Sequence, residues 1–270
     1  MEFKHISFIE ISDNLPGKGI ELDLWNSEYE GCKCKSSQFL NLKCSCLSSH
    51  DIKSNYDTFK QLNVDFNQKN WNSNMYPITE CHSECSCDEN SCLNRVVQSG
   101  PYFNFEIFNC DNFKKGKGLK TKEFIPVASF VLEYMGEIIS LDEAKDLLKI
   151  RQNRQEPNYI MFLNEFYSND QIMASTIIDA RNYSNLARYI NHSCDPNLFV
   201  LPVRIGNIIP HAALFSLRNI QPGEELTYDY NGTVGKIESK SQGKDEENLK
   251  NLNLCLCNSE NCRGYLPFFE

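Results

Sequence analysis

No stretch of this 270-residue sequence approaches the roughly 20 consecutive apolar residues of a membrane-spanning helix, so no association with a membrane is expected. Residues 1–10 carry no basic flank followed by an apolar run, and no secretory leader is expected. Basic residues are the scarcer charge: 27 Lys and Arg stand against 36 Asp and Glu, a formal net charge of −9. Gripping a nucleic-acid backbone alone takes clustered Lys and Arg, so independent nucleic-acid binding is not expected. An acidic surface suits a cationic partner instead. No internal repeat is present. With no leader, the chain is expected in a reducing compartment, where its thirteen cysteines remain thiols.

What is present divides the chain into segments. An apolar content of 41% over this length is enough for the core of one or two domains. Residues 1–30 are weakly patterned and read as an arm with one short strand. Residues 31–98 combine eight cysteines with little apolar content, a composition that needs metal to hold it together. Within it, the polar stretch from Leu47 to Glu80 reads as a loop. Residues 99–232 change to short β-branched and aromatic strands: Phe105–Asn109, Ser129–Ile139, Tyr159–Leu163, Thr176–Asp179, Asn197–Val203, Ala212–Leu217 and Leu226–Tyr228. Ser140 and Glu143 form a capping box opening a helix with apolar Leu141, Ala144, Leu147 and Leu148. A short helix is expected over Ser184–Tyr189. Residues 233–253 read as a mobile linker, and 254–270 as a small cysteine-bearing tail.

The cysteine spacing is specific. Cys32-x-Cys34 with Cys44-x-Cys46 makes one half-cluster, and Cys81-x3-Cys85-x-Cys87-x4-Cys92 another. Cys-x-Cys is poor spacing for a disulfide within the pair and good spacing for thiolates on neighbouring metals. Cys194 with Cys255-x-Cys257-x4-Cys262 offers four thiolates for a tetrahedral structural zinc. Cys110 fits neither set and reads as an ordinary buried thiol.

Cys194 belongs to Asn191-His192-Ser193-Cys194-Asp195-Pro196-Asn197, and Glu225-Leu226-Thr227-Tyr228-Asp229-Tyr230 follows some thirty residues later. Upstream stand Lys115-Gly116-Lys117-Gly118-Leu119 and Glu133-Tyr134-Met135-Gly136-Glu137. In this order, with the thiols, the motifs resemble the SET-domain protein lysine methyltransferases. The segment ending Asn94-Arg95-Val96-Val97-Gln98 is similar to the pre-SET region of the suppressor-of-variegation-like group. The likeness runs from about Gly31 to the C-terminus.

The resemblance implies a mainly β SET fold: small curved sheets around a threaded, knot-like C-terminal segment, flanked by zinc-bearing pre-SET and post-SET segments. It implies S-adenosylmethionine as methyl donor and a histone lysine as acceptor. Lys115, Gly116, Lys117, Gly118, Asn191 and His192 match the cofactor-binding segments, with Arg188 and Tyr159 as further candidates. Tyr230 matches the catalytic tyrosine, Tyr228 the position that influences how many methyl groups fit, and Tyr134 the lining of the lysine channel. Tyrosines two apart on a strand share a face, as walls of one channel must; otherwise each would be a strand tyrosine with its hydroxyl at the sheet surface. Phe215 is a further channel-wall candidate, with core packing as the other reading.

The family's pre-SET region carries nine cysteines on three zinc ions, and this chain has eight. Either a non-thiolate ligand, with His50 as a nearby candidate, completes the set, or a metal is lost, so two or three zinc ions are expected there and one in the tail. The partner implied is a histone H3 tail or nucleosome, the protein a monomer, and the location nuclear and chromosomal. Two alternatives stand: an idle SET-fold module that binds chromatin, and a methyltransferase for a non-histone lysine. The target lysine is not readable.

Overall fold

The computed structural model describes residues 7–34, 44–47, 54–64, 77–166, 172–231 and 253–266. His50, nearly all of the 233–253 linker and Pro267 to Phe269 of the tail lie outside the described residues. The elements in chain order are β1 (Ile9–Glu10), β2 (Leu15–Pro16), α1 (Leu22–Trp25), β3 (Ile78–Glu80), β4 (Phe105–Asn109), β5 (Lys117–Thr121), β6 (Phe130–Tyr134) and β7 (Glu137–Ile139). They continue with α2 (Leu141–Arg154), β8 (Ile160–Phe166), β9 (Ile172–Asp179), β10 (Tyr183–Ser184), β11 (Asn191–His192), β12 (Leu198–Ile205), β13 (His211–Ser216) and β14 (Thr227–Tyr228). Among the described residues the architecture is mainly β, in four small sheets.

The sheet that positions the site runs β11-β14-β12-β13-β6, with β3 also paired to β12. β14 lies between β11 and β12, parallel to both. Those two strands are joined directly by residues 193–197, so the later segment passes beneath an earlier loop. Asn197 fastens the crossing: its Nδ2 donates to the Glu225 carbonyl at 2.8 Å, and its Oδ1 accepts from the Thr227 amide at 2.8 Å. This is the threaded topology the resemblance implies.

Strand alternation, interrupted in β6 by the register shift opposite Leu214 and Phe215, sorts the side chains of this sheet between two cores. Leu132, Tyr134, Leu198, Val200, Ala212 and Leu214 pack into one, with Leu119, Ile178, Ile190 and Tyr228. Phe130, Phe199, Leu201, Val203, Ala213 and Phe215 face the other, which is closed by Tyr56, Leu62, Ile78, Val96 and Val97 of the cysteine-rich segment. That segment therefore covers one whole sheet face.

The stretch from Leu47 to Glu80 is accordingly more than a loop. Its end pairs in parallel with β12, and Tyr56 and Leu62 bridge to each other. Glu80, fully buried, accepts from the Tyr56 hydroxyl at 2.7 Å and from the amides of Val96 and Val97 at 2.9 and 2.8 Å. One carboxylate thus serves as anchor for the turn leading into the SET region. Glu80→Ala would leave those donors buried and unsatisfied, and should cost about 3 kcal/mol, read as a lowered unfolding midpoint of the zinc-loaded chain.

Two local expectations are adjusted. The Ser140 hydroxyl accepts from the Glu143 amide at 3.3 Å, but the Glu143 carboxylate pairs with Lys18 instead of turning back. The Ser140 amide donates to the Lys18 carbonyl at 3.1 Å. The capping box is therefore half formed, its return half replaced by the N-terminal arm. Leu141 is also half exposed, since only Ala144, Leu147 and Leu148 of the expected apolar set reach the core. The Ser184–Tyr189 helix is a 3-10 turn, Leu186–Tyr189, with Ser184 in a short strand that pairs with β1.

Candidate functional site

The threaded crossing brings Asn191 and His192 of β11 beside Thr227 and Tyr228 of β14. Tyr228 and Tyr230, two residues apart, have ring centroids 4.7 Å from each other. Tyr134, on β6, comes within 6.4 Å of Tyr228, and His192 within 5.2 Å of Tyr230. Tyr134 donates its hydroxyl to the Tyr159 carbonyl at 2.9 Å, and Tyr230 to the Ile190 carbonyl at 3.0 Å. The Tyr228 hydroxyl bonds to no described residue. Burial holds all three phenols well above the usual tyrosine range. They therefore stay protonated near pH 7, as hydroxyls and not as bases.

His192 links this cluster to the tail. Burial pushes its imidazole down to about 4, against the opposing pull of Asp229. The ring is neutral near pH 7, so its 3.7 Å approach to Asp229 is no ion pair. Its Nδ1 accepts from the Tyr230 amide at 3.1 Å, which leaves the Nε2 side 3.3 Å from Cys194 Sγ.

The glycine loop meets the same turn through its backbone. The Lys117 carbonyl accepts from Asn191 Nδ2 at 3.2 Å, so the lysine side chain is incidental to the contact. Gly116 adopts φ +72, a conformation that favours glycine. A Cβ on Gly118 would come within 2.7 Å of the Phe108 ring. Lys115 pairs with Glu225 at 3.0 Å, and Glu225 also accepts from Asn191 Nδ2 at 2.9 Å. Cys110 Sγ lies 3.4 Å from the same amide. Glu225 and Cys110 are therefore members of this site that sequence reasoning missed. Glu225 heads the Glu225–Tyr230 segment, but nothing in the spacing marks it, and Cys110 is partly exposed rather than an ordinary core thiol.

Two candidates lie apart. Phe215 is fully buried in the second core, against Phe130, Phe199 and Tyr56. The reason is alternation: Leu214 faces the tyrosine side, so its neighbour faces away, and Phe215 is no channel wall. Arg188 places its guanidinium over the rings of Tyr159 at 4.1 Å and Phe8 at 4.4 Å. Tyr159 stands next to the tyrosine cluster through its carbonyl.

The thiols gather as their spacing suggests, and all thirteen are free. Cys194, Cys255, Cys257 and Cys262 bring their sulfurs within 4.8 Å of one another. So do Cys32, Cys44, Cys46 and Cys81, while Cys81 also groups with Cys87 and Cys92. Cys34 packs against this N-terminal set. Tetrahedral zinc with bonds of about 2.3 Å sets sulfurs about 3.8 Å apart. The Cys44–Cys81, Cys46–Cys85 and Cys194–Cys255 separations are 3.9, 3.6 and 3.8 Å. These match the edges of zinc–thiolate tetrahedra and are far too long for disulfides. The donor sets fit zinc. Around the C-terminal set, Arg263 donates its amide to Cys194 Sγ at 3.4 Å and its guanidinium to Asp229 at 2.7 Å. The tail is thereby tied across the end of the tyrosine strand.

Comparison with known proteins agrees with this geometry. The SET domain profile matches residues 116–231, and the Pre-SET motif matches residues 3–95. The chain belongs to the SET-domain histone-lysine methyltransferase family, a family of protein lysine methyltransferases. It is 36% identical over 259 residues to rat "Histone-lysine N-methyltransferase SETMAR", covering 95% of this chain and 78% of that protein. The methyltransferase domain of human SETMAR matches its structure with a TM-score of 0.77 at 33% identity, over 97% of this chain and 90% of that one. KRYPTONITE, solved in complex with mCHH DNA, an H3(1-15) peptide and SAH, matches with a TM-score of 0.64 at 26% identity, over 96% of this chain and 48% of that one.

Proposed function

We propose that this protein transfers methyl groups from S-adenosylmethionine to the side-chain amine of a histone H3 lysine, giving mono- and dimethyl-lysine. It acts as a monomer on the H3 tail or nucleosome, on chromosomes in the nucleus. Residues 31–98 serve as the pre-SET region, 99–232 as the SET domain and 254–270 as the post-SET segment. The carrying observation is the convergence of the Asn191–His192 turn with the rings of Tyr134, Tyr228 and Tyr230 under a thiol-bound tail.

The donor supplies an electrophilic sulfonium methyl, and the protein contributes alignment and electrostatics. The backbone of Lys115 to Gly118 and the turn of Asn191 and His192 hold the donor. Arg188 and Tyr159 shape that side of the pocket from behind, the first by stacking and the second by its carbonyl. From the opposite side the lysine enters between Tyr134 and Tyr228. Burial there disfavours an ammonium beside a sulfonium, so the amine sheds its proton to solvent without a dedicated base. With its O–H donating a hydrogen bond to the Ile190 carbonyl, the Tyr230 oxygen keeps lone pairs to accept from the amine and aims it at the methyl carbon. A near-attack alignment of this kind lowers barriers by roughly 7–11 kcal/mol at best.

Tyr228 sets the product. Its hydroxyl, bonded to no described residue, can hold a water where a further methyl group would sit. Tyr228→Phe should raise the methylation state of an H3 peptide, read by intact mass. Predominant trimethylation by the unmodified protein would rule this role out. The activity itself is tested by transfer of labelled methyl from the donor to core histones, which an idle binding module would not perform.

A further inference from the structure

Three four-coordinate zinc ions in one cluster need twelve metal–ligand contacts, which six terminal and three bridging thiolates would supply. The N-terminal segment has eight cysteines, one ligand short. The described side chains nevertheless fall into three overlapping groups. Cys32, Cys44, Cys46 and Cys81 form the first, Cys81, Cys87 and Cys92 the second, and Cys46, Cys85 and His82 the third. Cys46 and Cys81 are each shared between two groups, as bridging thiolates are. In the third group the ligand atoms of Cys46, Cys85 and His82 lie within 4.8 Å of one another.

We propose that His82 is the ninth ligand, a terminal imidazole on the metal that it shares with Cys46 and Cys85. The proposal rests on the N-terminal thiols being zinc ligands and goes beyond the methyl-transfer reading. An imidazole nitrogen offers a single in-plane lone pair, so His82 replaces a terminal thiolate and leaves all bridging to cysteines. The residue is buried, 5% exposed. None of the hydrogen bonds among the described residues engages a ring nitrogen of His82; its backbone amide donates to Cys85 Sγ at 3.3 Å, and its carbonyl accepts from Arg95 at 2.7 Å and from the Cys85 amide at 3.0 Å.

The ring has a built seat. A Cβ on Gly206, at the β12–β13 turn, would come 3.0 Å from His82 Nδ1, and Gly206 adopts φ +68. The glycine therefore leaves room for an imidazole against the SET hairpin. A neutral imidazole also makes the cluster one charge less negative than a ninth thiolate would. Sequence reading points to His50; the described geometry points to His82, beside Cys81 in sequence but in a different metal group.

The test uses the full chain. Wild-type protein should hold about four zinc ions, three in the N-terminal cluster and one in the tail. About three would mean a two-metal cluster and overturn the proposal, whereas about one would overturn the cluster reading itself. His82→Ala should release one zinc to a chelator at least about tenfold faster, and an unchanged release would contradict the assignment. Because that variant could misfold, the wild type is also loaded with cadmium-113 and nitrogen-15 histidine. One cadmium should couple to an imidazole nitrogen, and His82→Cys should abolish the coupling while keeping the metal count. Cadmium resonances all in the all-thiolate range, with no coupling to any of the five histidines, would overturn the proposal.

Discussion

Tyr230→Phe is expected to lower kcat for lysine methylation by about 10²–10³-fold, the cost of losing one preorganised hydrogen-bonding group in a water-poor site. The tyrosine packs 4.7 Å from Tyr228 and 5.2 Å from His192, centroid to centroid, and its amide is held by the His192 ring. Phenylalanine keeps that packing and the amide bond, so the fold and zinc content should survive. What disappears is the hydroxyl, fixed by the Ile190 carbonyl with its lone pairs free to receive the amine. The interaction strengthens as the methyl moves, so kcat should fall and KM for the peptide should change little. Steady-state kinetics at saturating donor measure both. An unchanged kcat would remove Tyr230 from the chemistry.

Cys255→Ser carries the second large effect. Cys255 lies outside the Asn191–His192 turn, so its loss leaves the proposed donor contacts in place while removing one of the four thiols that would hold the tail metal. The tail's own structure is slight: a bridge between Leu254 and Tyr265, with the Cys255 amide bonded to the Gly264 carbonyl at 2.9 Å. Such a segment cannot hold a closed position by packing, and metal binding supplies its folding energy. Without the metal, Arg263 should leave Asp229 and the end of the tyrosine channel should open to water. The zinc content should fall by one, and kcat/KM by roughly 10–100-fold. Full activity after loss of that zinc would show that the tail does not close the site.

Much of this was legible in the sequence because chemistry forced particular residues into particular spacings. Thiols two and five residues apart announced metal, and the turn at Asn191 with two tyrosines on a later strand announced one cluster. Long strands such as Leu198–Ile205 showed their pattern. Strands of two or three residues, such as Ile9–Glu10 and Ile78–Glu80, are too short to display a period, and only pairing reveals them. Phe215 stayed open between channel wall and core because a strand aromatic does not declare its face; the register with β12 and β6 sets it in the second core. Glu80, Glu225 and Arg263 went unseen for another reason. Each acts through partners distant in sequence: Tyr56 and Val97, Lys115 and Asn191, and Asp229. No local pattern encodes such pairings.

The most direct measurement is a crystal structure of the zinc-loaded protein with a non-transferring donor analogue and an H3 lysine peptide. The donor is predicted on the Asn191–His192 side, and the lysine between Tyr134 and Tyr228. Its nitrogen should lie about 3–3.5 Å from the position of the transferring carbon, with the Tyr230 hydroxyl in contact with both. A donor seated away from this turn, or a lysine whose amine never reaches the three tyrosines, would contradict the account.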